Sequence, residues 1–155
     1  MLNTTLCYLE QDGAYLMLHR IKKEKDINSG KWIGVGGKFE AGESPEECAR
    51  REILEETGLR VSALRFRGIV TFDCPPHPTE YMHLFTSDSF SGTLRDCAEG
   101  VLQWVPKEQV FSLSLWEGDR LFLDLLAREV PFFSLKLSYC GDVLTAAFLN
   151  GERVQ

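Results

Sequence analysis

The chain predicts an α/β sandwich, with helices on the two faces of one mixed β-sheet, in a single domain covering residues 1–155. Three observations carry this expectation. Short strand-like runs recur along the whole chain, two amphipathic stretches of helical spacing interrupt them, and no linker, internal repeat or low-complexity tract divides the sequence.

The elements follow in order. Thr4 to Leu9 and Ala14 to His19 read as two strands around the turn Gln11-Asp12-Gly13. Trp32 to Val35 is a short strand feeding the glycine-rich run Gly34-Val35-Gly36-Gly37. Ser44-Pro45-Glu46-Glu47 starts a helix: Ser44 caps it, Glu47 completes a capping box, and Pro45 suits the first helical position. Gly58 ends that helix, with the apolar Leu59 following as a Schellman-type stop requires. Val61 to Phe72 is rich in strand formers, Cys74-Pro75-Pro76-His77-Pro78 is a loop, and Glu80 to Ser87 is another strand. Val101 to Val105 reads as a strand before a helical turn at Pro106 to Val110. Leu121, Leu125 and Leu126 mark an amphipathic helix from Glu117 to Arg128, and Phe132 to Ser138 with Val143 to Leu149 form a hairpin across Cys140-Gly141-Asp142.

Composition narrows the functional classes. A net charge of −6 argues against binding long nucleic acid, which needs a positive footprint, but not against a free nucleotide held through metal. No stretch approaches the length of a membrane span, and the N-terminus lacks a basic region followed by an apolar run, so no signal peptide is expected. The five cysteines Cys7, Cys48, Cys74, Cys97 and Cys140 are scattered, odd in number and form no C-x-x-C pair. They read as reduced residues of a cytoplasmic protein rather than as a zinc site or disulfide framework. One basic cluster, Arg20-Ile21-Lys22-Lys23-Glu24-Lys25, is either a solvated loop or a phosphate contact, with Lys23 the first residue to test.

The first helix carries the chemistry. Helical geometry brings Glu52, Glu55 and Glu56 onto one face, with Ala49 and Ile53 on the adjoining strip for packing against the sheet. Glu46/Arg50 and Glu47/Arg51 are spaced to pair along the helix. Glu52 and Glu56 at i, i+4 repel one another and raise each other's pKa, and a hard divalent cation relieves that cost. Oxygen-rich sites of this kind suit Mg²⁺, with Mn²⁺ as a substitute. A solvated acidic face would explain three arbitrary glutamates, but the adjacent glycines let backbone approach a ligand closely. Glycines and carboxylates together point to a metal-bound phosphate site. An acidic site accepts an anionic diphosphate only through metal, which would polarise a phosphoryl oxygen and activate water.

Gly37 to Leu59 fits the pattern G-x5-E-x7-R-E-U-x-E-E-x-G-U at every specified position: Gly37, Glu43, Arg51, Glu52, Ile53, Glu55, Glu56, Gly58 and Leu59. This resembles the Nudix box, and hence a Nudix-type α/β/α sandwich. Gly30-Lys31-Trp32, Gly36-Gly37-Lys38, Thr86-Ser87-Asp88, Trp104, Trp116 and the closing hairpin extend the resemblance to MutT-type members over almost the whole chain. It implies hydrolysis of a nucleoside triphosphate to the monophosphate and pyrophosphate, with a preference for oxidised purines such as 8-oxo-dGTP. By the same resemblance Glu52, Glu55, Glu56 and the Gly36 carbonyl bind metal, and Glu52 is the favoured water-activating base with Glu56 its competitor. Arg51 orients the carboxylates, Gly37 and Glu43 shape the loop, and Lys38 lies on the substrate side. Glu99 stands where the family places an extra metal-binding glutamate from a loop, or is an exposed acid beside Asp96. Trp116 stands where an aromatic ring stacks on the purine, or is core, and Asp119 where an acid reads the base edge.

Two residues depart from the purine-reading pattern. Gly118 replaces an acidic neighbour of Asp119, and Ile33 replaces an asparagine that bonds the base. Pro75 lies near where hydrolases of ADP-ribose-type sugars carry a proline, so that substrate class, or an unmodified nucleotide, is the competing enzyme reading. A catalytically silent nucleotide-sensing module should have lost box acids or the arginine, and none is lost here. Trimming of RNA ends fits poorly with the acidic charge.

Overall fold

The computed structural model describes residues 1–22 and 27–155. A first hairpin pairs β1 (Leu2–Gln11) with β2 (Ala14–His19) only near the turn, at Glu10↔Tyr15 and Gln11↔Ala14. Beyond that the two strands part. β1 runs parallel to β5 (Glu80–Ser91) over eight residue pairs, while β2 pairs with β3 (Trp32–Ile33) and β6 (Val101–Pro106). β5 lies antiparallel to β4 (Arg60–Asp73), which runs parallel to β7 (Phe133–Cys140), and β8 (Val143–Leu149) and β9 (Glu152–Arg153) complete the order. The sheet is mixed, as expected.

Helices cover both faces. Alternation along β1 sends Cys7 and Leu9 to one side, where they meet Ala49 and Ile53 of α1 (Pro45–Thr57), and Leu6 and Tyr8 to the other. On that second side Phe122, Leu123 and Leu126 of α3 (Glu117–Ala127) pack onto Val70, Leu84, Leu135 and Leu137. The short α2 (Lys107–Val110) links β6 to the approach to α3. Among the described residues no helix is long and apolar enough to cross a membrane.

Local rules explain most boundaries. Ser44 accepts the Glu47 N–H at 3.1 Å and Glu47 accepts the Ser44 N–H at 3.0 Å, closing the capping box, and Gly58 takes the left-handed conformation (φ 80°) at the other end. The expected i, i+4 pairs are not those the helix uses. Glu47 serves the cap, Arg50 donates to the Val61 carbonyl at 2.6 Å, and Arg51 turns toward Glu43. β3 is shorter than predicted because Val35 leaves the ladder for a bridge with Cys7, and β5 extends to Ser91 because it follows β4 through three register shifts to Arg60. β9, pairing with Phe148 and Leu149, was not anticipated.

Candidate active site

The glycine run is wedged between β1 and α1. A Cβ on Gly36 would lie 2.0 Å from the Thr5 carbonyl oxygen, and one on Gly37 would lie 2.6 Å from the Glu52 carboxyl. Backbone thus excludes a side chain at Gly36, and a side chain at Gly37 would displace the Glu52 carboxyl. The Gly36 N–H donates to Glu56 Oε2 at 3.0 Å. Burial pushes the Glu56 carboxyl up to about 8, against the Gly36 hydrogen bond, with the Glu52 and Glu99 charges adding to the rise and Arg20 opposing it. Burial also raises Glu52, here against the hydrogen bond and charge of Arg51.

Arg51 organises the acids around it. Its Nε and Nη2 donate to the two oxygens of Glu43 at 2.6 and 2.8 Å, a bidentate pair that holds Glu43 down at about 2 and raises Arg51 itself. Nη1 reaches Glu52 at 2.7 Å and Glu55 at 3.3 Å, and Nη2 donates to the Lys38 carbonyl at 3.0 Å. Among the described residues no three acidic, histidine or cysteine side chains converge closely enough to hold an ion, and Arg51 engages Glu52 and Glu55. The donor set nonetheless fits a hard divalent cation. It is all oxygen, the missing side chain at Gly37 keeps the Glu52 carboxyl unobstructed, and two of its acids are raised by burial and by neighbouring carboxylate charges.

From this carboxylate end a cleft of about 230 Å³ runs along β1 to α3, lined among others by Gly36, Lys38, Glu56, Ile33, Trp116 and Asp119. Trp116 is both core and cleft wall. Its ring packs against Phe72 and Tyr139 at centroid distances of 5.2 and 5.1 Å, its Nε1 donates to Asn28 Oδ1 at 2.7 Å, and Lys31 Nζ lies 4.8 Å from the ring centre. Asp119 is 6 % exposed, and burial pushes its carboxyl up to about 8 despite the Lys31 and Arg120 charges. At this pKa it is mostly neutral at pH 7, so it can donate as well as accept a hydrogen bond. The absence of an acid at Gly118 has a steric cause. A Cβ there would lie 2.5 Å from Leu137 and 2.6 Å from the Tyr139 hydroxyl, which accepts the Gly118 N–H at 2.7 Å.

Of the residues singled out in the sequence, Gly36, Gly37, Lys38, Glu56, Trp116 and Asp119 share this cleft, with Glu52 against Gly37 and Arg51 bonded to Glu52. Glu55 is turned to solvent beside Arg51. Glu99 forms an ion pair with Arg20 at 3.1 Å and contributes to the field at Glu56. Lys23 lies outside the described residues. Sequence reasoning overlooked Glu80, Phe72, Asn28 and Tyr139, which reach the cleft or its tryptophan from distant segments. Period-2 patterning places Phe72 and Glu80 on strands but does not aim them at Trp116.

Known proteins resemble this chain in sequence and fold. The NUDIX domain family matches residues 2–126. The oxidized purine nucleoside triphosphate hydrolase of Mus musculus is 36% identical over 112 residues, 71% of each chain, and that of Danio rerio is 34% identical over 130 residues, 83% of this chain and 81% of that one. A MutT protein from Bacillus halodurans superimposes with a TM-score of 0.86 at 26% identity, covering 98% of this chain and 99% of its own. Nudix hydrolases act on small-molecule nucleotide substrates and generally require a divalent metal. With the box complete and the fold matched, the chain belongs to the Nudix family and is a Nudix hydrolase.

Proposed function

We propose that this protein hydrolyses a purine nucleoside triphosphate to the monophosphate and pyrophosphate with Mg²⁺, acting in the cytoplasm on oxidised purines such as 8-oxo-dGTP. The observation that carries the reading is the single cleft joining the glycine and carboxylate end, Gly36, Gly37 and Glu56, to an aromatic and acidic end, Trp116 and Asp119. One end suits phosphates and the other suits a flat base with polar edges. The likeness to the two oxidized purine triphosphate hydrolases supports the same substrate class.

In this reading Glu52, Glu55, Glu56 and the Gly36 carbonyl hold the ion, and Glu99 is a further ligand once it parts from Arg20. When bound, the ion supplies neutralisation of the phosphate charge and activation of water. Glu52 accepts the proton of the attacking water, with Glu56 as the competing base. Arg51 positions Glu52 through its 2.7 Å contact, while its bidentate pair with Glu43 fixes its own direction. Lys38 and Lys23 meet the phosphates, and Gly37 lets the substrate approach beside Glu52. Trp116 stacks on the base, and Asp119 reads its edge.

A substrate panel with kcat/KM for 8-oxo-dGTP, 2-hydroxy-dATP, the unmodified dNTPs, ADP-ribose and dinucleoside polyphosphates tests this function. The oxidised purine triphosphates should lead the ranking. Preferential turnover of ADP-ribose would replace this reading with the sugar-nucleotide one.

A further inference from the structure

We propose that Glu80 is a second base-reading carboxylate of this cleft, selecting purines that carry a hydrogen on N7, the 8-oxo form, over unmodified purines. The inference rests on the purine triphosphate reading above and assigns it a specificity residue. Glu80 opens β5, where its register partners are Leu2 on β1 and Phe72 on β4. Phe72 is the residue whose ring meets Trp116, so the strand register carries Glu80 to the base end of the cleft, which it lines together with Asp119. One carboxylate comes from the sheet and the other from the first turn of α3.

Glu80 is held in place. The buried Thr4 hydroxyl donates to its Oε2 at 2.7 Å, which orients the group and leaves Oε1 without a protein donor among the described residues. An ionised carboxylate only accepts hydrogen bonds. Ile33, where a base-bonding amide would otherwise stand, offers the base edge nothing. The base is therefore met by oxygens from two sides.

The chemistry of the purine then decides what such a site prefers. Unmodified guanine presents N7 and O6 as acceptors on its major-groove edge. Oxidation at C8 to the carbonyl form places a hydrogen on N7 and turns that atom into a donor. A fixed carboxylate gains a hydrogen bond from the oxidised base and faces a lone pair on the unmodified one. Losing a partner for a buried polar group is the condition under which a site discriminates strongly.

The test is kcat/KM for 8-oxo-dGTP and for dGTP with the wild type, Glu80→Gln and Thr4→Val, each confirmed folded by its thermal transition. Glu80→Gln should lower the 8-oxo-dGTP to dGTP ratio by about tenfold or more, mainly through a higher KM for 8-oxo-dGTP with kcat kept. Thr4→Val should move the ratio in the same direction by less. A ratio within about twofold of wild type in both variants would overturn the assignment, as would an equal loss on both substrates, which would mean that Glu80 reads a group common to them. Release of pyrophosphate from neither nucleotide by the wild type would remove the parent reading and this role with it. Turnover of both with an unmoved ratio would remove the role of Glu80 alone.

Discussion

Replacing Asp119 with asparagine should flatten the dependence of stability on pH. Burial holds Asp119 at about 8 against the opposing charges of Lys31 and Arg120, whereas an unfolded aspartate titrates at about 3.9. Because the folded value is the higher one, its favourable contribution is complete below the unfolded pKa. It falls as pH rises and is lost above about 8. Between those values unfolding releases one proton at this site, so stability falls by about 1.36 kcal/mol per pH unit. From about pH 5 to about pH 7 that amounts to about 2.7 kcal/mol, a large share of a typical folding free energy. Asparagine keeps the shape and does not titrate. Equilibrium urea unfolding of both proteins at the two pH values gives the comparison, and other titrating groups cancel in the difference. Parallel behaviour of wild type and Asp119→Asn would mean that Asp119 is charged in the folded protein, and a neutral hydrogen-bonding acid at the base end would have to be abandoned.

Glu56→Gln should lose activity by two orders of magnitude or more, on the order of what removal of one charge-stabilising group costs, with its circular dichroism spectrum retained. Turnover close to wild type would remove Glu56 from the metal site. Trp116→Ala should raise KM for purine triphosphates more than it lowers kcat, and an unchanged KM would reject stacking on the indole. Gly118→Ala should lower stability by about 1–3 kcal/mol, because the added methyl meets Leu137 and the Tyr139 hydroxyl, and an unchanged denaturation midpoint would show that this seat is not filled.

Local rules made the box helix legible. The Ser44–Glu47 cap, the Gly58 stop and the buried Ala49 and Ile53 strip all stand where spacing placed them. Strand existence was legible too, apart from the short β9, but strand extent was not. β4 and β5 lengthen each other through bulges, and the parallel pairings β1–β5 and β4–β7 join residues more than 60 positions apart. The site divides in the same way. Glu52, Glu56 and the glycines lie within one short stretch whose spacing encodes their meeting. Glu80 reaches Thr4 across 76 positions and Trp116 reaches Asn28 across 88, contacts that exist only once the sheet register is set. The departure at Gly118 was visible in the sequence, whereas its cause, the space taken by Leu137 and Tyr139, was not.

The most direct measurement of the central claim is ³¹P NMR of the products formed from 8-oxo-dGTP with Mg²⁺ and with a chelator in its place. One nucleoside monophosphate and one pyrophosphate per substrate are expected with Mg²⁺, and no reaction with the chelator. Release of orthophosphate and a nucleoside diphosphate, or undiminished turnover in the chelator, would contradict it.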